Sequence, residues 1–205
     1  HGDIGICHGQ TPYHPKTRRK PREKPRRSYR NPSRLSIEFR SKAVDERTRF
    51  GHWEMDTVVS ARGGRGGLLV LTERKTRYSL IEKINTVSQN EIVAAIKRLV
   101  RKGSLGAVRS ITTDNGGEFA NHEEIRKALR RTNRFLKFYY THAYAAWEKG
   151  SVENVNRHIR RFFPKGTKFN LVSRNRIKEL QNFINSIPRA SLKGKSANES
   201  FLLGR

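Results

Sequence analysis

The sequence predicts an α/β fold: a five-stranded mixed sheet flanked by helices, with a basic extension before it and further helices after it. Three observations predict this. Three apolar runs between positions 51 and 84 are parted only by turn-rich segments, as in antiparallel hairpins. Two later apolar runs, ending at Thr113 and Tyr140, each follow a stretch with helical periodicity, as parallel crossovers require. By contrast His14–Arg34, HPKTRRKPREKPRRSYRNPSR, is dense in Pro and Arg, nearly free of aliphatic side chains and unable to build a core.

In order, Gly51–Ser60 (GHWEMDTVVS) reads as the first strand, opening on Trp53 and closing on Val58 and Val59. The glycine-rich ARGGRGG is a hairpin loop into the second strand, LLVLTE, and Tyr78–Ile84 supplies the third. Ser88 caps a helix to about Arg101 with Ile92, Val93, Ile96, Leu99 and Val100 on one face. Val108–Thr113 is a short buried strand, Glu118–Arg131 a helix with Phe119, Ile125, Ala128 and Leu129 inward, and Phe135–Tyr140 the fifth strand. A helix from about Ser151 to Phe163 stops at Pro164-Lys165-Gly166, and a last one runs from Ser173 to Ser186. Three strands followed by alternating helices and strands is the ribonuclease-H-like order. The expected division is a basic extension over residues 1–36, a core over 37–166 and a helical extension over 167–205.

The chain carries 44 Lys and Arg against 18 Asp and Glu, a formal net charge of +26. Such a charge calls for an anionic partner, and a phosphate lattice, whose counterions are released on binding, fits it best. Nothing resembles a membrane span or an amphipathic anchor, so a membrane partner is not expected. Cys7 is the only cysteine, which excludes disulfide scaffolds and cysteine-built zinc sites within one chain and suits a cytoplasmic setting. His1–Gln10 lacks the layout of a secretory signal. Met55 is the sole methionine, so a segment preceding His1, with room for another domain, is expected in the natural product.

Three acids draw attention. Asp56 lies in the apolar first strand, where a carboxylate is costly unless paired or metal-bound; period-2 counting places it with Glu54 and Val58, and turning outward to solvent is the plain alternative. Asp114 follows Thr112-Thr113 and precedes Asn115-Gly116, at the carboxyl edge of a strand where open α/β sheets bind ligands, although Asp-Asn-Gly is also a common turn. Glu153 opens a helix after Gly150, with Asn156, Arg157 and Arg160 following on one side; it could equally be an acid stabilised by the helix dipole, and Glu148 is a rival. Phosphoryl transfer explains wanting three carboxylates together, because two magnesium ions can activate an attacking oxygen and stabilise a leaving one without any cysteine or histidine ligand.

At these residues the chain resembles the insertion sequence 30 family of bacterial transposases, within the wider class of DDE transposases and retroviral-type integrases. The matching stretches are FGHWEMDTVV, LVLTERKTRY, ITTDNGGEF, KGSVENVNRHIRRFFPKGT and, more loosely, NSIPRASLKGKSANES, running in family order from Ile37 to Phe201. The resemblance implies a ribonuclease-H-like fold in which Asp56, Asp114 and Glu153 are catalytic and hold two Mg2+ ions, with Mn2+ able to substitute. It selects Glu153 over Glu148, because the family glutamate stands three residues after the glycine of a basic-Gly pair, here Lys149-Gly150. It also implies a supporting place for Asn115 beside the metal and a phosphate contact for Arg160.

Double-stranded DNA is the implied partner, contacted by Arg18, Arg19, Lys20, Arg26 and Arg27 of the arm and by Lys149, Asn156, Arg157 and Arg160 around the site. A homodimer or larger assembly on DNA and a bacterial, nucleoid-associated location follow from the same likeness. The implied reaction is strand cleavage followed by strand transfer. The competing readings are a degenerate transposase fragment that only binds DNA and a nuclease of this fold without strand transfer. Three departures from the family pattern stand out: 38 residues separate Asp114 from Glu153, a longer spacing than usual; Met55 replaces a usual glycine; and Ser186-Ile187 replaces a more basic pair.

Overall fold

A computed structural model describes residues 35–204 apart from 131, 132, 134, 143 and 144. The arm residues Arg18, Arg19, Lys20, Arg26 and Arg27 lie outside the described residues. In chain order the elements are β1 (Leu35–Ser36), α1 (Lys42–Asp45), β2 (His52–Val59), β3 (Gly67–Glu73), β4 (Ser79–Ile84), α2 (Gln89–Arg101), β5 (Ser110–Thr113), α3 (His122–Leu129), β6 (Lys137–Tyr140), α4 (Gly150–Phe162), α5 (Arg174–Ser186) and α6 (Ala197–Gly204). The strands form one sheet in the order β1-β6-β5-β2-β3-β4. β2 and β3, and β3 and β4, pair antiparallel, while β5 lies parallel to β2 and to β6, and β1 parallel to β6.

The expected mixed, ribonuclease-H-like sheet is therefore present, with six strands among the described residues rather than five. The extra strand is a two-residue edge piece in which Leu35 and Ser36 pair with Tyr139 and Tyr140. Every residue of β3 is buried, as suits a strand covered on both faces. On one face Trp53, Met55, Leu69 and Leu71 join α2 and α3 in a single core. On the other, Val58, Leu68, Val70 and Ile81 meet Val152, Val155 and Ile159 of α4 and Ile177, Leu180 and Ile184 of α5. Met55 is fully buried in the first core, so the side chain that replaces the family's glycine serves as packing.

Local chemistry explains the helix limits. Ser88 accepts from Glu91 N at 3.4 Å and starts α2 where expected. α3 begins four residues later than its apolar pattern suggests, because Asn121 caps it by accepting from Glu124 N at 3.4 Å while Gly117–Phe119 turn as a short 3₁₀ segment. α6 has too weak a periodicity to be expected as a helix, yet Ser196 and Glu199 form a reciprocal capping box, with Glu199 N donating to Ser196 Oγ at 3.2 Å and Ser196 N to Glu199 Oε2 at 2.7 Å. It returns Phe201 to the first core, stacked on Tyr78 with ring centroids 4.0 Å apart.

α5 shields the exposed edge of β4. Gln181 accepts from Ile81 N, and Asn185 both accepts from Ser79 N and donates to Ser79 O, at 2.8–2.9 Å. No helix among the described residues is long and apolar enough to cross a membrane.

Candidate active site

The parallel pairing of β2 with β5 sets His52, Trp53 and Glu54 against Ser110, Ile111 and Thr112. Continued in the same register, it brings Asp114, the first residue beyond β5, alongside Asp56. Two carboxylates from distant parts of the sequence thus share the carboxyl edge of β5.

Both are held by named donors. Asp56 Oδ1 accepts from Thr57 N at 2.9 Å, and Oδ2 accepts from Asn156 Nδ2 of α4 at 2.8 Å. Asp114 Oδ1 accepts from Gly116 N at 2.9 Å. The Lys149 ammonium bridges the pair, 2.9 Å from Asp114 Oδ2 and 3.3 Å from Asp56 Oδ1. Burial pushes the Asp56 carboxyl above its ordinary range, Lys149 works against that, and the neighbouring Asp114 charge adds to it.

The Gly116 backbone approaches both carboxylates closely: a Cβ there would lie 2.6 Å from Glu118 Oε2 and 2.9 Å from Asp114 Oδ1, so those side chains would have to shift. Glu118, which sequence reasoning missed, is a further carboxylate at this edge and accepts from Thr57 Oγ1 at 2.9 Å. Its place in Asp-Asn-Gly-Gly-Glu-Phe, directly after Asp114, is the signal that could have found it.

α4 delivers the remaining groups, and Glu54 sets where it starts. The Glu54 carboxylate is fully buried and accepts from Ser151 N and Val152 N, both at 2.9 Å, so it occupies the positive end of the helix. Arg74 completes the clamp, its guanidinium bonded to Glu54, to Val44 O and to Asp45. From this fixed start Lys149 turns inward, Glu153 stands exposed in the first turn, and Asn156 reaches Asp56 one turn on.

Asp56 and Asp114 are brought together, whereas no three His, Cys, Asp or Glu side chains among the described residues are close enough to hold one ion. Asn115 donates to Thr141 O at 2.7 Å and ties the Asp114 turn to the end of β6. Arg157 is exposed and bonds Asn154 at 3.1 Å; Arg160 bonds Val59 O at 3.1 Å and lies over the Phe169 ring. Glu148 is engaged elsewhere, accepting from His142 N and Nδ1 at 2.9 and 2.8 Å, while His142 Nε2 faces Glu38 at 3.1 Å.

The architecture is that of retroviral integrase catalytic cores. The catalytic core domain of BIV integrase superposes with a TM-score of 0.54 at 17% identity, over 74% of this chain and 93% of that one. A chain of a simian T-cell lymphotropic virus intasome, in complex with a PP2A regulatory subunit, gives 0.57 at 16% identity over 74% and 54%. Residues 46–163 match the integrase core domain, and the chain belongs to that family.

Among curated relatives, the transposase for insertion sequence element IS4351 of Bacteroides fragilis is 35% identical over 83% of this chain and 50% of its own length. The probable transposase of the insertion-like element IS1161 of Streptococcus salivarius is 33% identical over 82% and 46%. Transposase InsI of element IS30A of Escherichia coli K12 is 31% identical over 80% and 41%. The chain spans about half the length, or less, of the curated relatives it matches.

Proposed function

We propose that this chain is the catalytic domain of a transposase, cleaving DNA at the ends of a mobile element and joining them to a target, with Asp56, Asp114 and Glu153 as its acidic triad. The observation that carries the reading is the register-matched pair Asp56 and Asp114, already sharing one cation at the sheet edge in an integrase core. The donors fit magnesium: they are carboxylate oxygens, and beside them the buried Asn156 Oδ1 has no hydrogen-bond partner among the described residues. When bound, two Mg2+ ions, or Mn2+ in their place, would supply an activated water and stabilise the leaving oxygen.

The chain's own residues set the stage for two displacements at phosphorus. Water attacks first, forming one P–O bond as the strand's P–O bond breaks and a 3′-OH leaves. That hydroxyl then attacks a second phosphodiester, again exchanging one P–O bond for another, with no covalent enzyme intermediate. Thr57 N and Asn156 orient the Asp56 carboxylate, while Gly116 N and the Asn115–Thr141 tie fix that of Asp114. Glu153, exposed on the first turn of α4 and apart from the Asp56–Asp114 pair, would be the third ligand once drawn to them. Arg157 and Arg160 hold backbone phosphates, positioning DNA without reading its sequence. Double-stranded DNA is the proposed substrate, and a homodimer or larger assembly would hold two ends together.

Alanine at Asp56, Asp114 or Glu153, assayed singly for Mg2+-dependent cleavage of duplexes bearing the element's terminal repeats, is expected to lower the rate by about 10²–10³-fold or more. Retained cleavage in any one variant removes that residue from the triad.

A further inference from the structure

Lys149 is the feature that this mechanism leaves over. Its side chain is 5% exposed, and its ammonium makes its contacts with the two carboxylates proposed to hold metal. One ammonium against two carboxylates leaves a net negative pocket. A divalent ion taking oxygens of both carboxylates would stand close to that ammonium, and the like charges would repel strongly in this half-buried setting.

The surroundings allow Lys149 to yield. It is the residue immediately before α4, whose start is pinned by Glu54 through Ser151 N and Val152 N. Its main chain is therefore held while four flexible methylenes let the charge swing away. Solvent lies nearby, since the Asp114 side chain is 43% exposed. The exposed Arg157 and half-buried Arg160 continue the basic side of the same helix.

We infer that Lys149 is a displaceable internal cation: it holds Asp56 and Asp114 together until a divalent metal takes their shared oxygens, and the released ammonium then binds a DNA phosphate. This rests on the reading that metal binds at Asp56 and Asp114. It makes metal and DNA binding mutually reinforcing through one side chain, because whatever draws Lys149 outward favours the other ligand equally.

The test uses the whole chain with MnCl2 as the probe, without DNA, and reads each lysine's acetylation by mass spectrometry alongside calorimetric titration. In the wild type, Lys149 is expected to react slowly without Mn2+ and about tenfold faster at saturation, while the exposed Lys178 is unchanged. Lys149→Met is expected to bind Mn2+ about tenfold more tightly, and Lys149→Arg to retain the wild-type weakness. If Mn2+ binds the wild type and not Asp114→Asn, yet Lys149 reactivity does not rise, the displacement is wrong and the metal reading stands. If the wild type binds no Mn2+, both fall. The labelling arm needs no variant, so it decides even if Lys149→Met fails to fold.

Discussion

Glu54 and Asp56 stand two residues apart on the same strand, and their surroundings differ in kind. Glu54 has no exposed surface, and its partners are two main-chain amides of α4 and the guanidinium of Arg74, itself tethered to Val44 O and Asp45. Asp56 keeps 20% of its side chain exposed, and two of its three donors are side chains, Asn156 and Lys149, that can turn away. A carboxylate neutralised by a helix end is committed to structure. One neutralised by mobile side chains remains available to an incoming ligand. The same strand thus anchors the helix and presents the carboxylate proposed to hold metal.

The largest break in this comparison is Glu54→Ala. It leaves Arg74 buried without its main partner and uncovers the first amides of α4, so the loss of stability in urea unfolding should be about 3–5 kcal/mol. Glu54→Gln retains an acceptor for the amides and should cost less. A loss below about 1 kcal/mol for the alanine variant would show that the clamp does not hold the helix.

Met55, between the two acids, faces the opposite core. Met55→Ala should cost about 2–5 kcal/mol by leaving a cavity, with the proposed cleavage activity unaffected under conditions where the variant is folded. Loss of cleavage in a folded Met55→Ala protein would mean that the core beneath β2 also shapes the site.

Part of this contrast is legible in the amino-acid sequence, and part is not. β2, β3 and β4 announce themselves because each is an apolar run bounded by turn residues, and α2 because Ser88 precedes a clean helical stripe. β1 cannot be read in this way: two residues carry no periodicity, and their partners lie about a hundred positions away. α6 carries a legible Ser-x-x-Glu cap, but Ala-Asn-Glu-Ser shows little apolar stripe to confirm it.

Glu54 and Asp56 look alike in the sequence, on one face of one strand. What separates them arrives from Ser151, Val152, Lys149 and Asn156, and only the folded register of β2, β5 and α4 sets those beside them. Lys149 reads naturally as a surface cation for DNA, and nothing local reveals that its ammonium turns inward.

The start of β2 offers a test of smaller size. His52 is driven down to about 4 from its ordinary 6.5, first by burial and then by Arg109, Arg74, Arg40 and Arg49, while its Nδ1 lies 2.7 Å from Ser110 Oγ. The unfolded chain therefore binds a proton between pH 6.5 and about 4 that the folded chain refuses. Above 6.5 the ring adds nothing to the pH dependence, and stability falls as the pH drops through that window. Allowing for partial solvent screening, the loss is on the order of 1–2 kcal/mol. His52→Gln should flatten this part of the stability profile measured by urea unfolding, and an unchanged slope would assign the acid sensitivity to other groups.

Asp56→Asn gives the smallest change in stability and the sharpest test of the contrast. Burial raises the Asp56 carboxyl above its ordinary value of 3.8, so the folded state holds this proton more tightly than the unfolded state does. The ionised form then opposes folding at neutral pH, the reverse of what a clamping carboxylate does. An amide keeps the shape: its oxygen accepts from Thr57 N, and its NH2 donates to Asn156 once that side-chain amide flips to present its unpartnered Oδ1, while Lys149 retains Asp114 as its partner. Stability at pH 7 should therefore stay within about 1 kcal/mol of the wild type or rise, even as the proposed cleavage activity is lost. If Asp56→Asn instead destabilised the fold by about 3 kcal/mol, as a broken buried ion pair does, Asp56 would belong with Glu54 as an anchor.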